Sequence, residues 1–295
     1  MAKIADDLEN KKTRRWVRWA VLGLAFANLF VWLAVWENSQ RSYLEIAFFD
    51  VGQGDAALAQ LPGGVQILFD GGPDAGVLEK LGRAMPFYDR DIDWVVLSHT
   101  DRDHLAGLLG VLENYRVRNI VWSGISDEDA EDAEWQRLVA VEGANVVLAV
   151  AGERFNLGGR ADCLLEILSP TPAGRSSGKS QNELSVAVKL TYGVRSFLFT
   201  GDAAAGADMM RQAGAADVLK VAHHGSKYST REAFVAGLLP AVAVISAGAN
   251  NPYGHPSAEL LDLLAKYDIK TLRTDLSGDI VFKTDGSLLF LKTEK

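Results

Sequence analysis

The sequence predicts an α/β fold in which two mixed β-sheets pack together with helices outside, preceded by a single N-terminal transmembrane helix. Three features of the 295-residue chain lead to this expectation. Strand-like runs followed by helical patterns occur twice along the chain, which is typical of two sheets covered by helices. Ligand-type side chains stand where apolar strand-like runs end. One long apolar segment lies near the N-terminus.

The apolar segment runs from Ala20 to Val35 and is broken only by Asn28. Tryptophans flank it on both sides, at Trp16, Trp19 and Trp36. Aromatic residues at both ends of an apolar helix fit the two interfaces of a membrane. The segment is close to the minimum length that spans a bilayer, so we predict a membrane helix.

A cleaved signal peptide is the alternative, but small residues would follow its apolar region, and residues 35–38 (VWEN) form a poor cleavage site. We therefore predict a basic N-terminus at residues 1–18, an uncleaved anchor at 19–37 and one globular domain at 43–295. Five basic side chains precede the anchor closely and only Arg41 follows it. The positive-inside rule then predicts a single-pass protein of the cell membrane, with a cytoplasmic N-terminus and an extracytoplasmic domain.

Composition limits the kinds of site and partner. A hydrophobic share of 48% suffices for a packed core, and the single cysteine, Cys163, excludes a disulfide framework or a multi-cysteine zinc site. We expect Cys163, in an apolar run, to be buried. Residues 1–36 hold six of the 30 basic and three of the 38 acidic side chains, so the remainder holds 24 against 35, a formal charge of −11. A strongly basic face, the usual footprint of nucleic-acid binding, is not evident.

The elements of the domain follow one another in a regular order. Strands are predicted at residues 44–51, 56–61, 65–69, 94–97, 120–122, 146–150, 164–168, 185–190, 196–199, 218–221, 242–245, 271–273, 279–282 and 287–291. Helices are predicted at residues 77–85, 105–115, 128–141 and 258–267. Residues 169–180, rich in proline, glycine and serine, are expected to form a mobile crossover or a lid.

One stretch concentrates metal-ligand side chains. Residues 98–104 (SHTDRDH) follow the apolar run 94–97 and hold two imidazoles and two carboxylates. This donor set suits zinc, manganese or iron. A polar turn with solvated histidines is the alternative, but four ligand-type residues at this spacing favour a metal site. Asp103 is also expected to cap the following helix.

Distant segments supply more ligands of the same kind. Asp70, His99, Asp202 and His223 each stand where an apolar run gives way to glycine or polar residues. Neighbouring strands lie about 5 Å apart, so groups at their ends converge on one rim of a sheet.

Six motifs occur in order along the chain. They are FDVGQGD at 49–55, FDGG at 69–72, HTDRDH at 99–104, LFTGD at 198–202, LKVAHHGS at 219–226 and NPYGHP at 251–256. Together they resemble the metallo-β-lactamase superfamily and, within it, the hydrolase domain of ComEC-type DNA-uptake (competence) proteins. The resemblance covers residues 43–292, and residues 99–104 match the HxDxDH variant of the superfamily signature HxHxDH.

The resemblance implies an αββα sandwich with one or two divalent ions, zinc or manganese, at the rim between the sheets. It places one ion at Asp103, His104 and Asp202, joined by His223 or His224; we name this the His104 site. The sequence does not decide between the two histidines, and the other is expected to contact a phosphoryl oxygen.

The resemblance places a second ion at His99 and Asp101, with Asp202 shared; we name this the His99 site. Asp101 replaces the second histidine of the signature, which makes this site richer in oxygen. The histidine of the superfamily's third motif is also missing, and residues 181–185 there offer only Asn182, a weak ligand. The ion of the His99 site is therefore expected to be the more labile.

Further residues receive roles outside the ligand set. Asp55 and Asp70 are expected to orient the ligand loop by hydrogen bonds, or to be purely structural. Asp103 is expected to orient the nucleophile, and His255 to bind substrate or donate a proton, a solvated turn being the alternative. Expected substrate contacts are Ser226, Asn182 and Tyr253.

The predicted reaction is metal-assisted hydrolysis, and the resemblance favours DNA as the substrate of a nuclease that works with a separate channel protein. Hydrolysis of small cell-surface phosphoesters, such as phosphocholine or teichoic-acid decorations, needs no basic groove and is the enzymatic alternative. Amide hydrolysis of the β-lactam type fits less well because of Asp101. A non-catalytic module that binds nucleic acid or a partner is the third possibility.

Overall fold

The computed structural model describes residues 2–39, 42–126, 129–157, 163–175, 180–204 and 207–295. They fall into two compact units, residues 1–41 and 42–295. The first unit is one long helix, α1 (Ala2–Ser39). Its part Thr13–Leu33 is long and apolar enough to cross a membrane. The one amide within the apolar stretch, Asn28, donates to the Leu24 carbonyl at 3.1 Å, which satisfies it inside the helix.

The second unit contains the sheets. Its strands are β1 (Leu44–Phe48), β2 (Ala57–Gln60), β3 (Gln66–Phe69), β4 (Asp91–Val96), β5 (Arg116–Trp122), β6 (Asn145–Leu148), β7 (Arg154–Asn156), β8 (Cys163–Ser169), β9 (Ala187–Tyr192), β10 (Arg195–Phe199), β11 (Val218–Lys220), β12 (Val242–Ile245), β13 (Lys270–Arg273), β14 (Ile280–Thr284) and β15 (Leu289–Thr293). Its helices are α2 (Gly76–Ala84), α3 (Arg102–Asn114), α4 (Ala130–Glu142), α5 (Pro172–Arg175), α6 (Ala207–Ala213), α7 (Glu232–Leu238), α8 (Ala258–Lys266) and α9 (Thr274–Ser277). Short 3-10 turns cover Asn182–Leu184 and Ala222–Gly225.

Both sheets are mixed, as predicted. The first has the order β15-β14-β1-β2-β3-β4-β5-β6 and the second β13-β12-β11-β10-β9-β8-β7. The pairs from β3 to β6 and from β10 to β13 are parallel, and the other pairs are antiparallel. Strands such as β12 are continuous apolar runs because both of their faces are covered.

Three buried apolar layers hold this unit together. One lies between the sheets, and the other two lie between each sheet and its helices. In the first layer, Phe69 stacks on Phe199 with ring centroids 3.9 Å apart, and Phe48 stacks on Phe199 at 5.6 Å. These three rings are the last residues of β3, β10 and β1. They therefore fix the positions of the loops that follow those strands.

A close approach of α3 to the loop after β3 sets the position of the ligand cluster. A Cβ at Gly107 would collide with the Gly71 carbonyl, so only glycine allows this approach. The Gly71 N–H donates to the His104 carbonyl at 2.7 Å, and the Gly107 N–H donates to the Gly72 carbonyl at 3.0 Å. The first turn of α3 is thereby fastened to the residues that follow Asp70.

The fold prediction is confirmed, with local corrections. Helices α6 and α7 were not predicted. Helix α3 begins at Arg102 with Asp101 at the N-cap position and without a side-chain cap bond, so the expected capping role of Asp103 is wrong. Cys163 is buried. The predicted loop 169–180 contains α5, and its residues 176–179 lie outside the described residues.

Candidate metal centre

The carboxyl ends of parallel strands bring the predicted ligands together. His99 follows β4, Asp202 follows β10, and His223 and His224 follow β11. The carboxyl ends of β3 and β4 meet at one sheet edge, as do those of β10 to β12. Asp70, after β3, takes a left-handed backbone with φ of 54°. The short loops therefore point their side chains at one region of the rim.

The His104 site is tightly built. The Nε2 atom of His104 lies 3.3 Å from Asp202 Oδ1, and the Nε2 atom of His224 lies 3.0 Å from Asp103 Oδ2. One donor atom from each of Asp103, His104 and His224 falls within 4.8 Å of the others. Two imidazole nitrogens and two carboxylates at this range match the donor set of zinc or manganese.

The His99 site shares a carboxylate with the first. The Nε2 atom of His99 lies 3.3 Å from Asp101 Oδ2 and 3.8 Å from Asp202 Oδ2. The imidazole of His99 beside it lowers the pKa of the Asp101 carboxyl. The Asn182 Nδ2 atom lies 3.3 Å from Asp101 Oδ2 and 3.5 Å from Asp202 Oδ2. The side chain of Asn182 thus stands where the third-motif histidine is missing.

Bonds behind the imidazoles leave each Nε2 atom facing the centre. His104 Nδ1 lies 2.9 Å from Asp70 Oδ2, and His224 Nδ1 lies 3.0 Å from the Ser246 carbonyl, which can only accept. The Ser98 hydroxyl donates to Asp70 at 2.8 Å, so it accepts from His99 Nδ1 at 2.9 Å. Such bonds from Nδ1 orient metal-binding histidines and keep the Nε2 lone pair available.

Buried atoms without partners test whether a metal fits. Among the described residues, the Nε2 atoms of His99, His104 and His224 and Oδ1 of Asp202 are buried and have no hydrogen-bond partner. Buried polar atoms are almost always paired. Four such atoms, aimed at one another from three segments of chain, are those that a divalent ion would bind. The residues present therefore fit a metal.

The charges of the clustered carboxylates and imidazoles also favour a bound cation. Burial would raise the pKa of Asp202, yet His104 and His224 hold it well below its usual range. Burial would lower the pKa of His104, but Asp202 raises it well above its usual value. Asp55 and Asp103 raise the pKa of His224 to about 9, against the effect of burial. The carboxylates thus outweigh burial at His104 and His224, so this part of the cluster attracts positive charge, which protons or a cation can supply.

Burial separates the two adjacent histidines. The side chain of His224 is 2% exposed, and that of His223 is 37% exposed. His223 Nε2 lies 3.6 Å from Asp202 Oδ2, while its ring lies 5.8 Å from that of His255. Both backbones are left-handed, with φ of 51° and 52°. Because of this turn, the two rings leave the chain in different directions, one into the centre and one towards solvent.

Asp55 and Asp70 lie behind the candidate ligands. Asp70 accepts from the Ser98 N–H at 2.7 Å and from its hydroxyl. Asp55 Oδ1 lies 3.3 Å from His224 Nδ1. Burial would raise the pKa of Asp55, but Lys220 and His224 hold it well below its usual value.

Apart from Asp55 and Asp70, sequence reasoning missed the residues that support the centre from behind. Lys220 Nζ lies 2.6 Å from Asp55 Oδ2, with both side chains buried. Gln181 accepts from the Thr100 N–H and hydroxyl, at 3.2 and 2.5 Å, which holds the turn that carries Asn182. A lysine between two apolar residues of a strand was a visible signal for Lys220. Nothing local marked Ser98, Gln181 or Ser246.

The remaining predicted residues lie on the outer rim. The rings of Tyr253 and His255 stack with centroids 5.9 Å apart, and Tyr253 is exposed. Burial, together with His223 and His224, lowers the pKa of His255, so its ring is neutral at pH 7. Ser226 is buried, and its hydroxyl accepts from the Tyr228 N–H at 3.4 Å.

The chain is similar in sequence to curated competence proteins. ComE operon protein 3 of Bacillus subtilis (strain 168) is 29% identical over 267 residues, which cover 81% of this chain and 33% of that protein. Competence protein ComA of Neisseria gonorrhoeae is 30% identical over 274 residues, 90% of this chain and 35% of that protein. The chain thus spans about a third of the length of the curated relatives it matches.

A solved structure shares the fold. The metallo-beta-lactamase fold protein YhfI from Bacillus subtilis superposes with a TM-score of 0.56 at 14% identity, over 82% of this chain and 99% of that one. Residues 49–248 match the family model described as the Metallo-beta-lactamase superfamily. That stretch runs from the first predicted motif, through the ligand cluster, to Gly248 beyond β12. The chain belongs to the metallo-β-lactamase superfamily.

Proposed function

We propose that residues 43–295 form an extracytoplasmic, metal-dependent phosphodiesterase that cleaves DNA in the context of competence. The superfamily and the His/Asp clusters support a metal-dependent hydrolase. The observation that carries the proposal is the set of buried, unpartnered Nε2 atoms of His99, His104 and His224 around Asp202. A binding module would have no need of such atoms, because each unpaired buried polar group is unfavourable.

We assign the ligands to two ions that share Asp202. The His104 site takes Asp103, His104 and His224 in addition, with His224 chosen over His223 because it is buried and held by Ser246. This set is complete in protein donors for a four-coordinate ion.

The His99 site takes His99, Asp101 and the second oxygen of Asp202. Asn182 is its nearest further side chain, and a neutral amide is a weaker ligand than imidazole. We propose that this ion binds more weakly and that the oxygen-rich set accepts manganese as well as zinc.

Divalent ions bound here would supply a hydroxide nucleophile near neutral pH and positive charge for phosphate oxygens. The chain's own residues orient the reactants. Asp103, a third exposed and paired with His224, is placed to accept a hydrogen bond from the attacking water. His223, beside Asp202 and open to solvent, is placed to contact a phosphoryl oxygen. Neutral His255 is placed to donate a hydrogen bond to the leaving oxygen rather than a full proton.

The rim supports nucleic acid as the substrate. Tyr228 and Tyr253 are strongly exposed beside the centre, and Lys227 lies 5.2 Å from the Tyr228 ring. Exposed aromatic rings next to a cation favour stacking of unpaired bases. Ser226 fixes the loop that carries Tyr228. The acidic charge of the domain disfavours long duplex tracks, so we propose single-stranded DNA or a strand end.

The same acidity favours one rival, hydrolysis of small cell-surface phosphoesters, which needs no extended groove. A non-catalytic module that binds nucleic acid or a partner through this rim is the other. Metal content distinguishes the proposed enzyme from the non-catalytic module, because a binding module should hold no stoichiometric metal. The choice of substrate distinguishes the proposed nuclease from a hydrolase of small cell-surface phosphoesters.

We propose that residues 19–37 anchor the protein in the membrane. The basic segment 1–18 then lies in the cytoplasm, and the domain 43–295 lies outside it. The support is the apolar stretch Thr13–Leu33 of α1 and the excess of basic residues before it. In keeping with the competence proteins that the chain resembles, we propose that the domain works with a separate channel protein that takes up the surviving strand.

Metal content and turnover of the full chain test the proposal. The protein, purified in mild detergent, is assayed for bound metal and for hydrolysis of single-stranded DNA, duplex DNA and bis-p-nitrophenyl phosphate with manganese or zinc. We expect metal-dependent cleavage of single-stranded DNA. Asp202→Ala, which removes the shared ligand, should lose metal and turnover together.

Asp262→Ala, at an exposed position of α8, is the matched control and should behave as the wild type. Turnover retained by Asp202→Ala would contradict the metal assignment. If the protein cleaves the small diester but leaves DNA intact, the assignment shifts to hydrolysis of small cell-surface phosphoesters.

A further inference from the structure

We propose that the end of the domain remote from the metal centre docks on the bilayer surface through an exposed apolar patch, Val194, Leu288 and Phe290. The proposal rests on the membrane anchoring proposed above. Its occupant is the lipid surface next to the anchor, and its consequence is a metal centre that faces away from the membrane.

The patch is built from two hairpin tips that contact each other. The Val194 N–H, in the β9–β10 turn, donates to the Gly286 carbonyl in the β14–β15 turn at 2.8 Å. Arg195 Nε donates to the Ser287 carbonyl at 2.6 Å. A Cβ at Gly193 would meet the Gly286 backbone, so the two turns pack without a gap. Leu288 lies at the end of the second turn, and Phe290 lies in the edge strand β15.

The side chains of the patch face solvent. Val194 is 76% exposed, Leu288 57% and Phe290 60%. Phe290 pairs in register with Lys283, whose Nζ lies 4.8 Å from the Tyr43 ring. Lys283 also pairs with Glu45 at 2.7 Å and Arg195 with Asp217 at 2.7 Å, so the exposed apolar and aromatic side chains, and not net positive charge, fit this surface to the water–lipid interface.

The first described residues of the domain, from Ser42 onwards, lie at this patch. The Ser42 carbonyl accepts from Tyr192 Oη at 3.1 Å, next to the β9–β10 turn. Leu44 pairs with Thr284 at the start of the β14–β15 turn. Residues 38–43 span at most about 20 Å even when fully extended. A lipid surface is therefore always within reach of the patch, at a high effective concentration.

A second exposed aromatic pair lies at the same end of the first sheet. Phe87 and Tyr88, with ring centroids 5.3 Å apart, precede β4. Because β1 to β3 alternate in direction and β4 runs parallel to β3, the start of β4 is at the end where β1 begins.

The metal centre lies at the other end of the same strands. β1 runs from Leu44 beside the patch to Phe48, and Asp55 follows; β10 runs from Arg195 beside the patch to Phe199, and Asp202 follows. Five strand residues span about 17 Å. Docking would thus hold the centre about that far from the lipid headgroups, open to substrate that arrives from outside.

Two labelled cysteines in the full chain test this arrangement. In a Cys163→Ala background, Ser287→Cys labels the patch end, and Glu259→Cys labels the start of α8 beside the metal centre. Each carries a fluorophore, and the protein is placed in nanodiscs whose lipids carry a nitroxide quencher at the headgroup. We expect strong quenching at position 287 and little at position 259.

Val194→Ser/Leu288→Ser/Phe290→Ser should shift the ratio of docked to undocked domains by roughly tenfold or more, so quenching at position 287 falls. Leu148→Ser/Leu276→Ser, at exposed leucines near the other end of the strands, is the matched control and should leave quenching unchanged. Neither set touches the metal ligands, so hydrolysis of the small diester should persist in both.

Quenching at position 287 that survives the triple substitution would overturn the patch as the docking surface, because the tether alone would then explain it. An unquenched label at 287 in protein that co-purifies with nanodiscs would overturn docking but not anchoring. Protein that fails to associate with nanodiscs would overturn both. Energy transfer between copies without lipid quenching would identify the patch as a self-association surface and refute lipid docking.

Discussion

The buried ion pair behind the metal centre gives the sharpest stability prediction. Lys220 and Asp55 are both buried, with 2.6 Å between Nζ and Oδ2. Lys220→Met keeps most of the side-chain volume and removes the charge. At an effective dielectric of about 20, two unit charges at this distance attract by about 6 kcal/mol. Desolvation offsets part of that, and breaking a buried pair typically destabilises a protein by about 3–5 kcal/mol.

We therefore expect the free energy of unfolding to fall by about 3–5 kcal/mol in Lys220→Met. Urea unfolding of the full chain in detergent, followed by circular dichroism, measures it. Lys266→Met is the matched control, because Lys266 pairs with Glu232 at 2.5 Å on the exposed surface, and its midpoint should not move. Lys220→Met/Asp55→Asn should recover part of the loss, since no buried charge then lacks a partner. Equal midpoints for Lys220→Met and Lys266→Met would refute the reasoning.

Two further predictions concern the centre itself. His224→Ala should remove the ion of the His104 site, whereas His223→Ala should retain metal and lose turnover. Elemental analysis and the diester assay distinguish the two variants. Loss of metal in His223→Ala alone would reverse the assignment of the two histidines. Neighbouring carboxylates raise the pKa of His104 well above its usual value and that of His224 to about 9. In chelator-treated protein, both rings are therefore protonated at pH 7. They lose these protons only when the pH rises through their raised pKa values. Metal uptake at pH 7 should then release about two protons, measured by titration calorimetry in buffers of different ionisation enthalpy; heat independent of the buffer would contradict this.

The convergence of the candidate residues could be predicted because they lie at strand ends. The candidate ligands His99 and Asp202, and Asp70 behind them, each follow an apolar strand, and parallel strands place such residues at one edge. The sequence could not choose between His223 and His224. That choice depends on two consecutive left-handed residues and on the distant Ser246 carbonyl, which leave no trace in the local pattern.

The supporting residues were harder to predict for a different reason. Lys220, at the end of β11, is visible as a lysine in an apolar run, but its partner Asp55 is far away along the chain. Helices α6 and α7 have seven residues each, which is about two turns and too few for a clear helical period. Long-range pairing and short elements are therefore where the sequence alone falls short.

The metal centre itself is tested most directly by anomalous diffraction from crystals of the protein grown with manganese. We expect two peaks about 3.5–4 Å apart, which share the Asp202 carboxylate between them. The stronger should lie against the Nε2 atoms of His104 and His224, and the weaker against that of His99. Manganese bound elsewhere, with none beside Asp202, would contradict the assignment.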